Sequence, residues 1–287
     1  MPDNESILGG KTYLVTGVTS GIGKVTARRL AATGGTVIAV ARDSARGQSA
    51  VADIRGHAPQ GRVELHVADM SQLDSVRKLA EQIQGRYERL DVLVNNAGVS
   101  KQAREVTADG LEMTFATNHL GPFLLTNLLL DQLRGSAPAR IVTVSSSVHK
   151  QVKEIPWDDL QGAQSFNGLK AYNLSKLMNI LFTRELGRRL ADQGVTANSL
   201  SPGFVHTGLG REVTGGFAVF LKLSRPLQKS PEAGAATSVY LATSPDVAEV
   251  TGGYFQKSAS AKTSALAQDD EAAARLWQLS AKLSGLA

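Results

Sequence analysis

Tyr172 and Lys176 stand four apart in Tyr172-Asn173-Leu174-Ser175-Lys176, inside a stretch of helical period that runs on through Arg189. At that spacing two side chains share a helix face. A phenol titrates at about 10, too high for ready proton exchange at neutral pH, and an ammonium beside it favours the phenolate and lowers that value. The pair therefore suits general acid/base work, although Tyr-x-x-x-Lys also arises by chance in ordinary helices. Ser145, Ser146 and Ser147 follow a β-branched run, where a hydroxyl could hydrogen-bond a carbonyl oxygen. No Gly-x-Ser-x-Gly surrounds them and no His/Asp set stands at useful spacing, which argues against a hydrolase. His57, His66, His119, His149 and His206 show no metal-ligand spacing and are expected on the surface or in loops.

Glycines supply a second kind of chemistry. Thr16-Gly17-Val18-Thr19-Ser20-Gly21-Ile22-Gly23 lies between an apolar strand candidate and the helical stretch Lys24 to Ala32. There Gly17 permits a tight turn, Gly21 lets the backbone approach a pyrophosphate, and Gly23 lets helix pack on strand. The helix N-terminus then offers N–H groups and a positive dipole end to phosphates. The spacing is G-x-x-x-G-x-G rather than the general G-x-G-x-x-G, and the alternative is an ordinary glycine-rich turn. Its place between strand and helix favours a dinucleotide.

The next strand ends Val40-Ala41-Arg42, with no carboxylate for ribose hydroxyls but a guanidinium suited to a 2′-phosphate, so NADP(H) is expected over NAD(H). Asp43 lies about 20 residues past the last glycine, where the general fingerprint places its acid. Two residues beyond the strand, it reads as a solvated or helix-capping carboxylate. In Ala68-Asp69-Met70, Asp69 would accept from an adenine amino group, or Asp69 or Ser71 would cap the following helix; both readings stand. In Asn95-Asn96-Ala97-Gly98, small residues would admit a ribose and the amides would tie loops together, the alternative being a simple turn.

Chemistry at several strand ends requires a sheet that brings those ends to one edge. Strand candidates are Thr12 to Thr16, Thr36 to Val40, Val63 to Val67, Val92 to Asn95, Ile141 to Ser145, Val195 to Leu200 and a weaker Tyr254 to Phe255, with helix-length segments between the first six. The expected fold is α/β, a Rossmann-type doubly wound parallel sheet of seven strands with helices on both faces. No linker or repeat divides residues 1–287, so one domain is expected, ending in a helix over 269–284. With no cysteine, disulfides, thiolate catalysis and Cys-ligated metals are excluded, and a cytoplasmic location is expected. Met1 to Lys11 carries Asp3, Asn4 and Glu5 and no apolar core, and Leu120 to Leu130 is about half the length of a span, so no membrane span is expected. The net charge of +5 is scattered rather than blocked, which argues against a nucleic-acid partner.

In order along the chain, Thr16 to Gly23, Asn95 to Gly98, Asn118, the serines, Tyr172 with Lys176, and Pro202-Gly203 resemble the short-chain dehydrogenase/reductase family over residues 9 to 257. The resemblance implies that Ser146, sixth in Ile141 to Ser146, is the catalytic serine and Tyr172 the proton donor. Lys176 would hold the nicotinamide ribose and lower the tyrosine pKa. Asn118 would kink its helix and hold a water in the proton relay, and Pro202, Gly203, Val205 and Thr207 would border the nicotinamide. Gly17, Ser20, Gly21, Ile22, Gly23, Arg42, Asp69, Met70, Asn95, Ala97 and Gly98 complete the expected cofactor contacts, with Tyr172 and Lys176.

Asn118-His119-Leu120-Gly121, the insert Trp157-Asp158-Asp159-Leu160, Tyr240-Leu241-Ala242-Thr243-Ser244-Pro245 and Leu276-Trp277 look like the retinol dehydrogenase-like branch. Pro122 replaces the histidine expected after Gly121, and the amino-terminal anchor of many animal members is not expected here.

The expected activity is NADP(H)-dependent reduction of a carbonyl or oxidation of an alcohol, with Ser146 orienting the oxygen and Tyr172 protonating the alkoxide. A non-catalytic dinucleotide-binding regulator would be signalled by loss of the serine, tyrosine or lysine; a C=C reductase would more often rearrange the serine position. Between Thr207 and Ser230, Leu209, Phe217, Val219, Phe220, Leu221 and Leu223 among four glycines suggest a lid over a bulky apolar substrate. The alternative is a short helix packed on the body or on a second copy in a homo-oligomer.

Overall fold

The computed structural model describes residues 10–205 and 228–287. β1 (Thr12–Thr16), β2 (Thr36–Ala41), β4 (Val92–Asn95), β5 (Ala139–Val144) and β6 (Val195–Ser201) are β-branched runs buried on both faces, as strands covered by helices on each side must be. β3 (Arg62–Val67) is the edge and is correspondingly more exposed. With β7 (Tyr254–Gln256) and β8 (Ala259–Ser260), one sheet forms in the order β3-β2-β1-β4-β5-β6-β7-β8.

β1 to β7 are parallel; β8 pairs antiparallel with β7 and is one strand more than expected. Its connection is Lys257-Ser258, with φ of 53° and 58°. Two successive positive φ values suit a tight hairpin, but these residues lack the Asn-Gly or Asp-Gly signature that would have announced one.

Alternate residues of the sheet feed two cores. Leu14, Ile38, Leu93 and Ile141 meet the helices Leu73–Arg86, Gly121–Leu128 and Gly168–Arg189 on one face. Val15, Val37, Val94 and Val142 meet Gly21–Ala31, Ser44–His57 and Pro231–Thr243 on the other. Because β1 pairs with β2 on one side and β4 on the other, the winding reverses between β1 and β4. The crevice outside the carboxyl ends of those two strands is where such sheets bind ligands.

The chain enters Gly121–Leu128 through a short α-turn, Met113–Phe115, and a π-helical turn, Ala116–Leu120. Pro122 has a physical place here. It has no N–H for the carbonyl of Asn118, four residues back, while Gly121 N bonds Ala116 O across the wider turn. The carboxy-terminal helix is Asp270–Leu283. Thr207 and the apolar residues from Leu209 to Leu223 lie outside the described residues. Among the described residues no helix is long and apolar enough to cross a membrane, and no group of His, Cys, Asp or Glu could hold a metal ion.

Candidate active site

The glycine turn is built as its residue types require. Gly17 and Gly21 adopt φ of 76° and 59°, and a Cβ on Gly17 would stand 2.9 Å from Ala97 Cα. A Cβ on Gly23 would collide with Asn96 Nδ2 and Gly17 O. Ser20 is the N-cap of Gly21–Ala31 but its hydroxyl makes no cap hydrogen bond, and no acid sits in the first turn. The turn thus presents backbone N–H groups and a dipole end without a competing anion, which fits a pyrophosphate.

Asn96, which was not among the expected cofactor contacts, holds this cradle. Its Nδ2 donates to Thr16 O at 2.7 Å and Gly17 O at 3.3 Å, while Thr16 Oγ1 accepts from the N–H groups of Asn96 and Ala97, both at 3.0 Å. Asn95, expected among the cofactor contacts, instead points into the core, its Nδ2 donating to Thr126 Oγ1 at 2.9 Å. It is the last paired residue of β4, opposite Thr143, so strand alternation carries it inward; Asn96 is free to turn back.

Ala41 is buried, whereas Arg42 is exposed at the end of β2 and has no ion-pair partner among the described residues. Asp43 accepts from Arg46 N at 2.8 Å and caps the helix Ser44–His57. Asp69 does not cap the next helix: its Oδ1 takes Ser71 N and Ser71 Oγ at 2.9 and 2.8 Å. Leu73 N is received by Asp109 at 2.9 Å. Met70 is buried beside Gly121, whose missing Cβ makes room for the Met70 carbonyl. Ile22 and Val205 pack with Val25 and Ala235, so the end of β6 meets the glycine helix. Gly203 follows Pro202 with φ of 86° and donates to Ser201 Oγ at 3.3 Å.

Asn118 occupies the π-helical turn. Its Oδ1 accepts from Val99 N at 2.7 Å, and its Nδ2 donates to Val99 O and Ser175 Oγ, both at 2.9 Å. Ser175 donates in turn to Tyr172 O at 2.7 Å. A Cβ on Gly98 would lie 3.3 Å from Asn118 Oδ1 and 3.6 Å from Lys176 Nζ, so the ends of β4, the π-turn and the Tyr172 helix converge.

β5 ends one residue earlier than expected. Ser145 is buried and donates to Lys176 O at 2.6 Å, anchoring strand to helix. Ser146 is partly exposed, its Oγ accepting from Val148 N at 3.4 Å, and Ser147 is exposed. Lys176 is buried, donates from Nζ to Val144 O at 3.0 Å, and lies 5.5 Å from the centroid of the Tyr172 ring.

The expected lowering of the phenol is not what this environment produces. Burial pushes Tyr172 up to about 12 and pulls Lys176 down to about 8. Desolvation is the cause for both groups, since taking either charged form out of water is costly, and the ammonium's hydrogen bond among the described residues goes to the Val144 carbonyl. Nζ has one protein acceptor among the described residues, so two of its three N–H bonds remain for a ligand's hydroxyls.

Two of the histidines expected on the surface or in loops, His119 and His149, are fully buried, the second within the turn Ser147–Gln151. His119 joins Ser280 of the carboxy-terminal helix through Nε2 at 2.8 Å, and burial drives it down to about 3. His149 packs beneath Ser146. Neither position carries a local sequence signal for burial, since Ser280 lies 161 residues from His119 and Ser264 lies 115 residues from His149, whose other partner, Ser146, is close by in the chain.

A reversal of winding over a glycine cradle, with a tyrosine and a buried lysine on the neighbouring helix, defines a dinucleotide-fold protein equipped for acid/base chemistry. The profile of the short chain dehydrogenase family matches residues 11–216. The chain belongs to that family, in its retinol dehydrogenase-like branch. It is 43% identical to retinol dehydrogenase 13 of Homo sapiens, covering 99% of this chain and 87% of that one. It is likewise 43% identical to retinol dehydrogenase 14 of Homo sapiens, over 98% and 88%. Among solved structures, an uncharacterised protein of Mycobacterium paratuberculosis is 34% identical with a TM-score of 0.77, over 96% of this chain and 93% of that one. A gluconate 5-dehydrogenase candidate from Beutenbergia cavernae, which holds NADP at low occupancy, is 26% identical with a TM-score of 0.70, over 86% and 95%.

Proposed function

We propose that this protein is an NADP(H)-dependent oxidoreductase that interconverts carbonyls and alcohols, acting on a bulky apolar substrate from one catalytic domain. The observation that carries the reading is the convergence of Tyr172, Lys176, Asn118 and Gly98 beside the glycine cradle. When bound, NADPH supplies the hydride that reduces the carbonyl carbon. Gly17, Ser20, Gly21, Ile22 and Gly23 would receive its pyrophosphate, Arg42 its 2′-phosphate, and Lys176 its nicotinamide ribose, with Ala97, Gly98, Pro202, Gly203 and Val205 closing around it. Asp69 and Met70 would border the adenine. Asn95 would contribute through its backbone, because its side-chain amide is committed to Thr126 in the core.

Ser146 donates a hydrogen bond to the substrate oxygen, and Tyr172 gives its phenolic proton to the developing alkoxide. The phenol carries its proton at neutral pH, as a donor must, but burial up to about 12 makes it a weaker acid than a free phenol, so the transfer depends on its being held beside the substrate oxygen. The test is NADPH consumption by purified protein over a panel of carbonyls. Bulky apolar ketones or aldehydes should lead in kcat/KM. Tyr172→Phe should lower turnover by about a hundred- to ten-thousandfold while NADPH still binds. Retained turnover in that variant would assign the proton to another group, and a panel led by small polar carbonyls would remove the substrate assignment.

A further inference from the structure

The sheet's grip on the serine turn ends early. Ser145 N still bonds Leu200 O at 2.8 Å, but beyond it the strand has no ladder partner. Ser146, extended at φ −162° and ψ 155°, is followed by the 3-10 turn Ser147–Gln151. Beyond the ladder the peptide after Ser146 is held by Ser201 Oγ of β6, which accepts from Ser147 N at 3.1 Å, and by the turn's own His149 N, which donates to Ser146 O at 3.3 Å. A side chain bonded to the same carbonyl would complete the grip and help to set the direction of Oγ.

His149 is placed to do this. Its ring is wholly buried, edge-on to Tyr254 at a centroid distance of 5.1 Å. Nδ1 lies 2.7 Å from Ser146 O, and Ser264 N approaches Nε2 at 3.3 Å. A backbone N–H can only donate, so Nε2 is the acceptor and the proton sits on Nδ1, which donates to the Ser146 carbonyl. Burial lowers the imidazole pKa and keeps this neutral tautomer in place.

The segment that supplies Ser264 lies beyond residues 11–216, the stretch shared with the family profile. It is itself firmly held. Asp270 pairs with Arg184 at 2.9 Å, Arg275 lies over the Trp157 ring at 4.4 Å, and Ser280 meets His119.

The geometry points to His149 as a positioning residue: through Nδ1–H it fixes the Ser146 carbonyl against the carboxy-terminal segment, which holds the ring through Ser264 N–H. This rests on the reading of Ser146 as the group that orients the substrate oxygen.

Two amide substitutions separate the roles of the two ring nitrogens. His149→Asn places Nδ2 where Nδ1 stood and keeps the donor to Ser146 O. His149→Gln reaches toward Ser264 and gives up that donor. The inference predicts that His149→Gln loses about ten- to a hundredfold in kcat. His149→Asn should keep most of it, and NADPH affinity should stay within about twofold in both, whichever melts lower. In a Ser146→Ala background, His149→Gln should cost nothing further, because the residue it positions is gone. Equal kcat losses in the two variants, or a loss that persists undiminished beside Ser146→Ala, would overturn the positioning role. Full turnover in Ser146→Ala alone would instead overturn the reading of Ser146, and the proposal with it.

Discussion

Gly17 and Gly110 form a matched pair, since both adopt φ of 76°. An added Cβ at Gly110 meets nothing within 4 Å, while at Gly17 it stands 2.9 Å from Ala97 Cα and 3.1 Å from Asn96 Nδ2. Gly110→Ala therefore isolates the cost of a left-handed alanine, about 1–2 kcal/mol. At about 2.1 cal/mol/K of unfolding entropy per residue, that is a fall in Tm of roughly 2–3 °C for a chain of this length. Gly17→Ala carries the same strain plus a contact with a backbone atom that cannot swing aside, adding about 1–3 kcal/mol by analogy with overpacked sites. Its Tm should fall by roughly 3–8 °C. The distinguishing readout is cofactor affinity. Shifting the Gly17 turn moves the N–H groups meant for the pyrophosphate, and loss of one charge-assisted bond weakens binding by about tenfold or more. Calorimetric titration with NADPH should show that weakening for Gly17→Ala and none for Gly110→Ala. If both variants bind NADPH like the parent protein, the cradle argument is wrong whatever their Tm values.

Arg42 beside the neutral Ala41 should make NADPH bind about tenfold or more tighter than NADH, and Ala41→Asp with Arg42→Ala should reverse the order; equal affinities by calorimetry would remove Arg42 from the site. Lys176 gives a pH signature: burial lowers it from 10.5 to about 8, so between those values the unfolded chain binds a proton that the folded chain does not, and this group makes stability rise with pH. The Tm of the cofactor-free protein minus that of Lys176→Met should therefore climb from about pH 8 to about pH 10, below the range where Tyr172, raised to about 12, contributes with the opposite sign; a flat difference would show that the ammonium is not desolvated.

What the sequence disclosed and what it withheld divide along a physical line. Gly17 and Gly21 were legible because a left-handed turn at a strand end selects glycine locally, and Tyr172 with Lys176 because a spacing of four fixes a shared helix face. The strands were legible because burial on both faces demands uninterrupted apolar runs. The partners of polar groups were not, because the need for a hydrogen bond is written at one residue and its satisfaction at another far away. Asp69 reads as well for a cap of the helix Leu73–Arg86 as for an adenine contact, but the carboxylate that receives Leu73 N comes from Asp109. Asn95 and Asn96 are identical in type, and only the last pairing of β4 decides which one reaches Thr16 and Gly17 and which one Thr126.

The same separation governs the chemistry of the site. The attraction between Tyr172 and Lys176 follows from their spacing, whereas the desolvation that overrides it depends on how the ends of β4 and β5 close over the ammonium. His119 and His149 become neutral, buried connectors only because Ser280 and Ser264 return from the far end of the chain. A pair of residues adjacent in a helix can therefore specify what chemistry is available, while segments distant in sequence set its protonation states and aim. Substitutions in the carboxy-terminal segment should accordingly be read for their effect on kcat as well as on Tm, since a contact that looks like packing there ends on the peptide of Ser146.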